Sequence, residues 1–557
     1  LIEACDLSAT NASKWEDEMS QKATYRRSLG VAAGALAVGL SLLLASGTNA
    51  KAQKTIRAVM QADVQVLDPI VNTSDITARF AFMVYDTLFA LDKNFVAQPQ
   101  MVGDYKISDD KLTYDFTLRP GLKFHDGSPV TSADVIASLK RWEVRDGAGQ
   151  LLAKFTKELS PTGDRSFRLV LNEPYGLVLD SLTKPDGNVP VIMPKRLADT
   201  DAGQAITEVI GSGPFKFVKE EWVSGNKMVF VKNADYVPRA EAASGFAGGK
   251  VVKVDRIEWV VLPDPQTAVQ ALNRGEIDFM ELPPTDLLPL LKANKDVKVE
   301  DMSPLGTQGL LRLNHLQPPF TDVRVRHAMQ WLVNQRDFMV AAIGDPSLWK
   351  VCGSILICDE PFAFQDGADM LNNDIPNEQR VAKAKELLAQ AGYKGEPVLL
   401  MDPVTYPIFH AANQVFAQAL KQAGVNVQLE AMDWGTLTSR RAKKEPLSQG
   451  GWSMFFTSNG GLQAANPVFE IAMSAGCDTA WFGWPCDAKI EDLRTQWALA
   501  KTSDERKKVS REYQIAATEN VVYIPWGVWK TPSAFRANLK NMLKVPDSIV
   551  FWNVEKE

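Results

Sequence analysis

The chain has 557 residues, a formal net charge of −6, and 45% hydrophobic against 23% charged residues. That length exceeds what one hydrophobic core organises, so two or three domains are expected, and the composition excludes wholesale disorder. No long basic run is present, which argues against nucleic acid and anionic lipid as partners and suits a small-molecule ligand.

In chain order, the first fifty residues read as an export signal rather than as fold. Tyr25-Arg26-Arg27 is a basic start, residues 28–50 carry no charge, and the apolar stretch 29–45 ends in Asn49-Ala50-Lys51-Ala52. This is the pattern of a cleaved signal peptide, expected over residues 19–52. The uncharged run is nearly long enough for a membrane anchor, but the small-residue exit favours cleavage. Met19 is the expected start, and the acidic residues 1–18 are expected to be a non-native upstream extension. No Cys follows the apolar run, so the product is expected free in the periplasm. The Arg26-Arg27 pair leaves Sec and twin-arginine export both open.

Past the signal, a β-like stretch from Thr55 reaches a turn at Leu67-Asp68-Pro69, and residues 78–88 carry apolar side chains at helical spacing. Leu112, Tyr114, Phe116 and Leu118 alternate as one face of a half-buried strand; Pro120-Gly121 and Asp126-Gly127 turn the chain. Thr131 and Asp134 form a helix start of the T-x-x-D type, leading to about Trp142. Residues 256–262 read as a strand, Asp264-Pro265 as a helix start closed by Gly275, and residues 277–282 as a strand. Asp322 caps a helix whose stripe is Val325, Ala328, Met329, Leu332 and Val333. Helices over 377–391 and 407–423 then alternate with strands over 398–401 and 425–431. That rhythm predicts an α/β domain on a mainly parallel sheet. Residues 242–249 read as a Gly/Ala surface loop.

Cys5 falls in the leader, leaving Cys352, Cys358, Cys477 and Cys486. An even number in an exported chain implies disulfides, and of three pairings the local one, Cys352–Cys358 with Cys477–Cys486, is the most economical. Neither pair has zinc-site spacing or a nearby His. No metal site and no cofactor are expected. Phosphate-loop, dinucleotide, H-E-x-x-H and G-x-S-x-G patterns are missing. The four histidines, His125, His315, His327 and His410, offer few partners for a nucleophile, so a secreted hydrolase is the weakest reading.

The run from Tyr114 through Phe124-His125-Asp126-Gly127 to Thr131-Ser132-Ala133-Asp134-Val135 resembles the signature of the family 5 extracellular solute-binding proteins. These include dipeptide-, oligopeptide- and nickel-binding components of ABC importers. Leu67-Asp68-Pro69, Gly211-Ser212-Gly213-Pro214-Phe215, residues 271–278, residues 320–329 and residues 384–393 follow in the family's order. The resemblance spans nearly the whole exported chain. It implies a two-lobed α/β fold of the class II periplasmic-binding type, with an inserted subdomain and a hinge.

On that reading, lobe I comprises residues 53–95, 204–305 and 525–557, the insert residues 96–203, and lobe II residues 306–524. The chain would cross near residues 305–314 and return near residues 523–526. The implied activity is capture of a peptide or peptide-like solute by lobe closure and delivery to an inner-membrane ABC permease, without catalysis. The same fold could hold a metal chelate, haem, an oligosaccharide or an opine-like compound. A monomer is expected, because closure is intramolecular.

Peptide-binding members carry a W-x-x-D segment whose Asp meets the peptide ammonium. The corresponding stretch begins at Trp452 and has Phe455 three residues on. A buried ammonium without a counter-ion is costly, so Asp433 or another acid would have to serve. Trp434, Trp452, Phe455 and Asn459 are the cleft candidates, an aromatic wall with one amide. Trp481 and Trp484 either line its rim or pack on the second disulfide.

Overall fold

The structure, a computed structural model, describes residues 53–303, 305–545 and 547–557. The expected signal peptide and the extension before it lie outside these residues.

Two large sheets organise the described chain. The first has seven strands in the order Phe215–Phe217, Lys227–Lys232, Arg256–Val260, Thr55–Val59, Phe279–Met280, Ser533–Arg536 and Val297–Glu300. The second has six: Trp349–Lys350, Ile524–Trp529, Thr307–Leu313, Met454–Gly460, Val398–Pro403 and Val427–Met432. A separate apolar core packs against each, which gives the two lobes.

Only Thr55–Val59 and Val398–Pro403 run parallel to both neighbours. The remaining pairings in these two sheets are antiparallel. The sheets are therefore mixed rather than mainly parallel. A strand–helix–strand rhythm fixes direction only within its own crossover. Strands that reach a sheet from a distant part of the chain, such as Ile524–Trp529, can enter it in the opposite sense.

The insert adds a four-stranded antiparallel sheet, in the order Val102–Ile107, Thr113–Leu118, Ser166–Leu171 and Thr156–Gly163. Its core is continuous with that of the first lobe. Tyr114, Phe116 and Leu118 are buried along one face, as their alternation requires. Helix Ser132–Arg145 opens with a reciprocal cap: the Thr131 N–H donates to Asp134 at 2.8 Å, and the Thr131 hydroxyl accepts from the Asp134 N–H at 3.4 Å. From this helix Arg141 reaches the buried Asp68 carboxylate through two bonds of 3.1 and 2.8 Å. The backbone N–H groups of Ile70 and Ile206 also donate to Asp68. Leu67-Asp68-Pro69 is thus a cross-tie between lobe and insert. In Gly211-Ser212-Gly213, a Cβ on Gly211 would lie 2.0 Å from the Val84 carbonyl oxygen, so only glycine fits.

The helix expected over 78–88 is Asp75–Val84, because Asp86–Thr87 leaves it to pair with Val191–Ile192. The helix capped by Asp322 ends at Trp331, while Leu332 and Val333 remain buried. Asn377–Ala391 ends at Gly392 with φ 76°, a left-handed stop.

The chain passes between the sheets after Glu300, and back after Trp529 rather than at residues 523–526, because Ile524–Trp529 is itself paired with Thr307–Leu313. The two hinge passages are joined by an ion pair, Lys530–Asp301, at 3.0 Å. Cys352–Cys358 and Cys477–Cys486 are both disulfide-bonded, across sequence separations of 6 and 9.

Candidate functional site

Parallel strands bring their C-terminal ends to one edge, and in open α/β sheets ligands bind outside that edge. Here Thr55–Val59, Arg256–Val260 and Phe279–Met280 lead into residues 59–65, 259–263 and 282–286. From the other lobe, Val398–Pro403 and Val427–Met432 lead into residues 405–408 and 433–435. These loops enclose a chamber of about 630 Å³ between the lobes, walled by Val59, Met228, Trp259, Met280 and Ile408 among others. A volume of this order suits a small solute.

A much smaller chamber, about 20 Å³, shares Gln61, Tyr406 and Trp434 with the large one. Its lining is polar: Thr73, Asp75, Arg441, residues 457–459, Gln463 and Glu470, with Trp481. A third space of about 70 Å³ adjoins it through Gln61, Asp75, Tyr406 and Ser458. The lobes are shut over this region. The Thr73 hydroxyl accepts from Arg441 at 2.9 Å and from the Trp481 indole N–H at 3.2 Å. The Gln65 amide donates to Asp433 at 3.3 Å, and the Thr285 hydroxyl to the Ile343 carbonyl at 2.5 Å.

Charge in the small chambers is desolvated. Burial pushes the Asp75 and Glu281 carboxyls up, with Arg79 pulling the other way. Arg79 Nε lies 2.7 Å from Glu281, although its N–H does not point squarely enough for a hydrogen bond. Burial pushes Glu470 up to about 7. One Glu470 oxygen accepts from the Ala472 N–H at 2.7 Å, and the other has no partner. Burial also lowers the Arg441 guanidinium to about 9, against the pull of Asp75. Arg441 stacks 5.0 Å from the rings of Trp481 and Phe482.

The four cleft candidates separate. Trp434 and Asn459 line the small chamber, and each has an N–H group without a partner. Trp452 and Phe455 are corrected: both are fully buried in the second lobe's core and line none of these chambers. Trp452 donates to the Arg441 carbonyl at 3.1 Å and packs edge-on to Phe455 at 5.0 Å. The strand reaches the cleft two residues further on, at Thr457, Ser458 and Asn459, none of them acidic. Asp433 is occupied as the cap of helix Trp434–Arg440, accepting the Thr436 N–H at 2.9 Å. Trp481 lines the small chamber, whereas Trp484 packs 6.0 Å from Trp452.

Asp75, Arg441 and Glu470 were missed by sequence reasoning. The readable signal was position: Arg441 is one helix length past the Val427–Met432 strand end. The signature residues have structural roles, and the His125 backbone N–H donates to the Gly211 carbonyl at 2.8 Å. Among the described residues no group of three or more His, Cys, Asp or Glu could hold a metal, and no helix is long and apolar enough to cross a membrane.

The family described as "Bacterial extracellular solute-binding proteins, family 5 Middle" matches residues 96–469. A relative from Sinorhizobium fredii, named "Probable peptide ABC transporter periplasmic-binding protein", is 39% identical over 534 residues, covering 95% of this chain and 98% of its own. A glutathione-binding protein of Escherichia coli is 26% identical, covering 92% of this chain and 96% of its own. Among solved structures, the binding protein AgaA of A. tumefaciens R10, in complex with agropinic acid, superposes with a TM-score of 0.74 at 20% identity, over 90% of this chain and 99% of that one. The last similarity concerns the fold, which agrees with the two lobes and the cleft between them. The chain belongs to the family 5 bacterial extracellular solute-binding proteins, and it is a substrate-binding component of an ABC importer rather than an enzyme.

Proposed function

We propose that this chain captures a peptide or peptide-like solute in the periplasm, after removal of its signal peptide, and presents it as a monomer to an inner-membrane permease. The carrying observation is the space of about 630 Å³ between the lobes, apolar in its walls and adjoining a charged recess. The walls take up side chains of varied shape, and the recess fixes an end. Closure brings the lobe of residues 53–95, 204–305 and 530–557, with its insert 96–203, against residues 306–529. A solute that touches both lobes binds the closed state better and shifts the open–closed balance toward it. Trp434 and Asn459 are assigned to solute contact. The names of the relatives support the class: one is called a peptide transporter component and another glutathione-binding.

The test is a thermal-shift panel on protein unfolded and refolded to strip bound solute. It covers di- to penta-peptides, γ-linked peptides, opine-like compounds, glycosides and nickel chelates. A solute at a hundred times its Kd stabilises the fold by about 2.7 kcal/mol, a shift of a few degrees. If only glycosides or nickel chelates stabilise the protein, the peptide-like reading fails.

A further inference from the structure

Four side chains that line the small chamber carry polar atoms with no partner. Arg441 Nε, Trp434 Nε1 and Asn459 Nδ2 are donors, and Glu470 Oε2 is an acceptor. All are deeply buried, with exposures of 2%, 8%, 6% and 0%. A buried native polar group is normally satisfied, and leaving one unmet costs about 1–3 kcal/mol. Four unmet groups around one space therefore mark a place built to receive something.

Their signs define what it receives. A simple anion would answer the three donors but would sit against Asp75 and, once it is ionised, Glu470. A simple cation would answer the two carboxyls but leave three donors unmet, one of them on a guanidinium with no carboxylate within salt-bridge distance among the described residues. Only a group that carries both charges within a bond or two satisfies the whole set. The small chamber, about 20 Å³, holds roughly one water-sized group, and its neighbour, about 70 Å³, a few more, so the two together have room for a charged head but not for a whole solute. The rest of a solute continues into the large chamber past Gln61, Tyr406 and Trp434.

We infer that the small chamber, together with the neighbouring space it opens into, is a subsite for a free α-amino-carboxylate head, an ammonium and a carboxylate on one carbon. The carboxylate accepts from Arg441, Trp434 and Asn459, and the ammonium donates to Glu470 and Asp75. This deepens the import reading and rests on it. It names solutes joined through a side chain, such as γ-glutamyl peptides and amino-acid conjugates, in preference to ordinary α-peptides. In an α-peptide the carbon bearing the ammonium is attached to an amide, which offers the guanidinium no charge.

The test uses two isomers of one composition, γ-L-glutamyl-L-leucine and α-L-glutamyl-L-leucine, titrated calorimetrically into the stripped wild-type protein. Only the γ isomer presents the zwitterionic head. It is expected to bind at least ~30-fold more tightly, and N-acetylation should remove most of that advantage. Equal or tighter binding of the α isomer overturns the inference and leaves the import reading intact. So does binding of neither isomer when another member of the panel binds. If nothing in the panel binds, both readings fall. Glu470→Gln keeps the acceptor that meets the Ala472 N–H, and Asn459→Asp sets a negative charge against the carboxylate. Each should weaken the γ isomer at least ~10-fold, which corresponds to about 1.4 kcal/mol. Unchanged affinity in both variants, with unchanged melting, would mean that the chamber holds only water, and the inference would fail.

Discussion

The large and small chambers of the cleft are neighbours with different linings, the large one mostly apolar and the small one mostly polar. The large one is walled by Val59, Met228, Trp259, Met280 and Ile408. The small one is lined by Thr73, Asp75, Arg441, Asn459 and Glu470. Apolar burial is non-directional and scales with area, so the large chamber tolerates variety. Desolvated charge and unmet donors are directional and costly to leave unanswered, so the small chamber discriminates.

The comparison breaks most sharply at Arg441. Arg441→Gln should weaken the best solute of the panel by ~100-fold or more, because removing one side of a buried charge pair costs 2–5 kcal/mol. Calorimetry reads this, and a melting curve checks the fold. A loss of less than ~5-fold would mean that the small chamber does not select. In the large chamber, Ile408→Val, which removes one methylene, should cost only ~3- to 5-fold, in line with about 0.8 kcal/mol per buried methylene. The loss should be similar for every solute that binds. A loss confined to one solute would show that the large chamber also discriminates.

The smallest effect concerns stability without solute. Burial holds the Glu470 proton up to about 7 in the folded protein, whereas the unfolded chain releases it in the ordinary carboxyl range. Between those values only the unfolded state has lost the proton, so rising pH favours unfolding. Glu470→Gln removes that contribution. The melting temperature of the variant relative to wild type should therefore rise between pH 5 and pH 8, by a few degrees. Taking the difference cancels His125, which burial lowers to about 4 and which acts in the opposite sense. A difference that stays flat with pH would show that Glu470 is not buried in the empty protein.

Local structure was readable because its causes are local. The alternation of Tyr114, Phe116 and Leu118, the Thr131–Asp134 cap and the Gly392 stop each depend on residues within a few positions. The short disulfides follow from spacing within an exported chain. The family was legible because its motifs are structural: Asp68 ties the lobe to the insert through Arg141, and Gly211 lies against the Val84 carbonyl. Trp452 and Phe455 misled because an aromatic side chain in a strand, or just before one, can face the core as readily as the cleft. The strand Met454–Gly460 enters the small chamber only from Thr457 onward.

The amino-acid sequence by itself determined the strand through Tyr114, Phe116 and Leu118, the Thr131 cap, the Gly392 stop and the two-lobed family, and favoured the local cysteine pairing, all of which are written in short-range patterns or ordered motifs. Tertiary structure alone decided strand direction in the two sheets, the point of return after Trp529, and the meeting of Thr73 and Asp75 with Arg441, Asn459 and Glu470. Those five lie hundreds of positions apart at the extremes. Only the closure of one lobe on the other brings them within reach, and no local propensity encodes that distance.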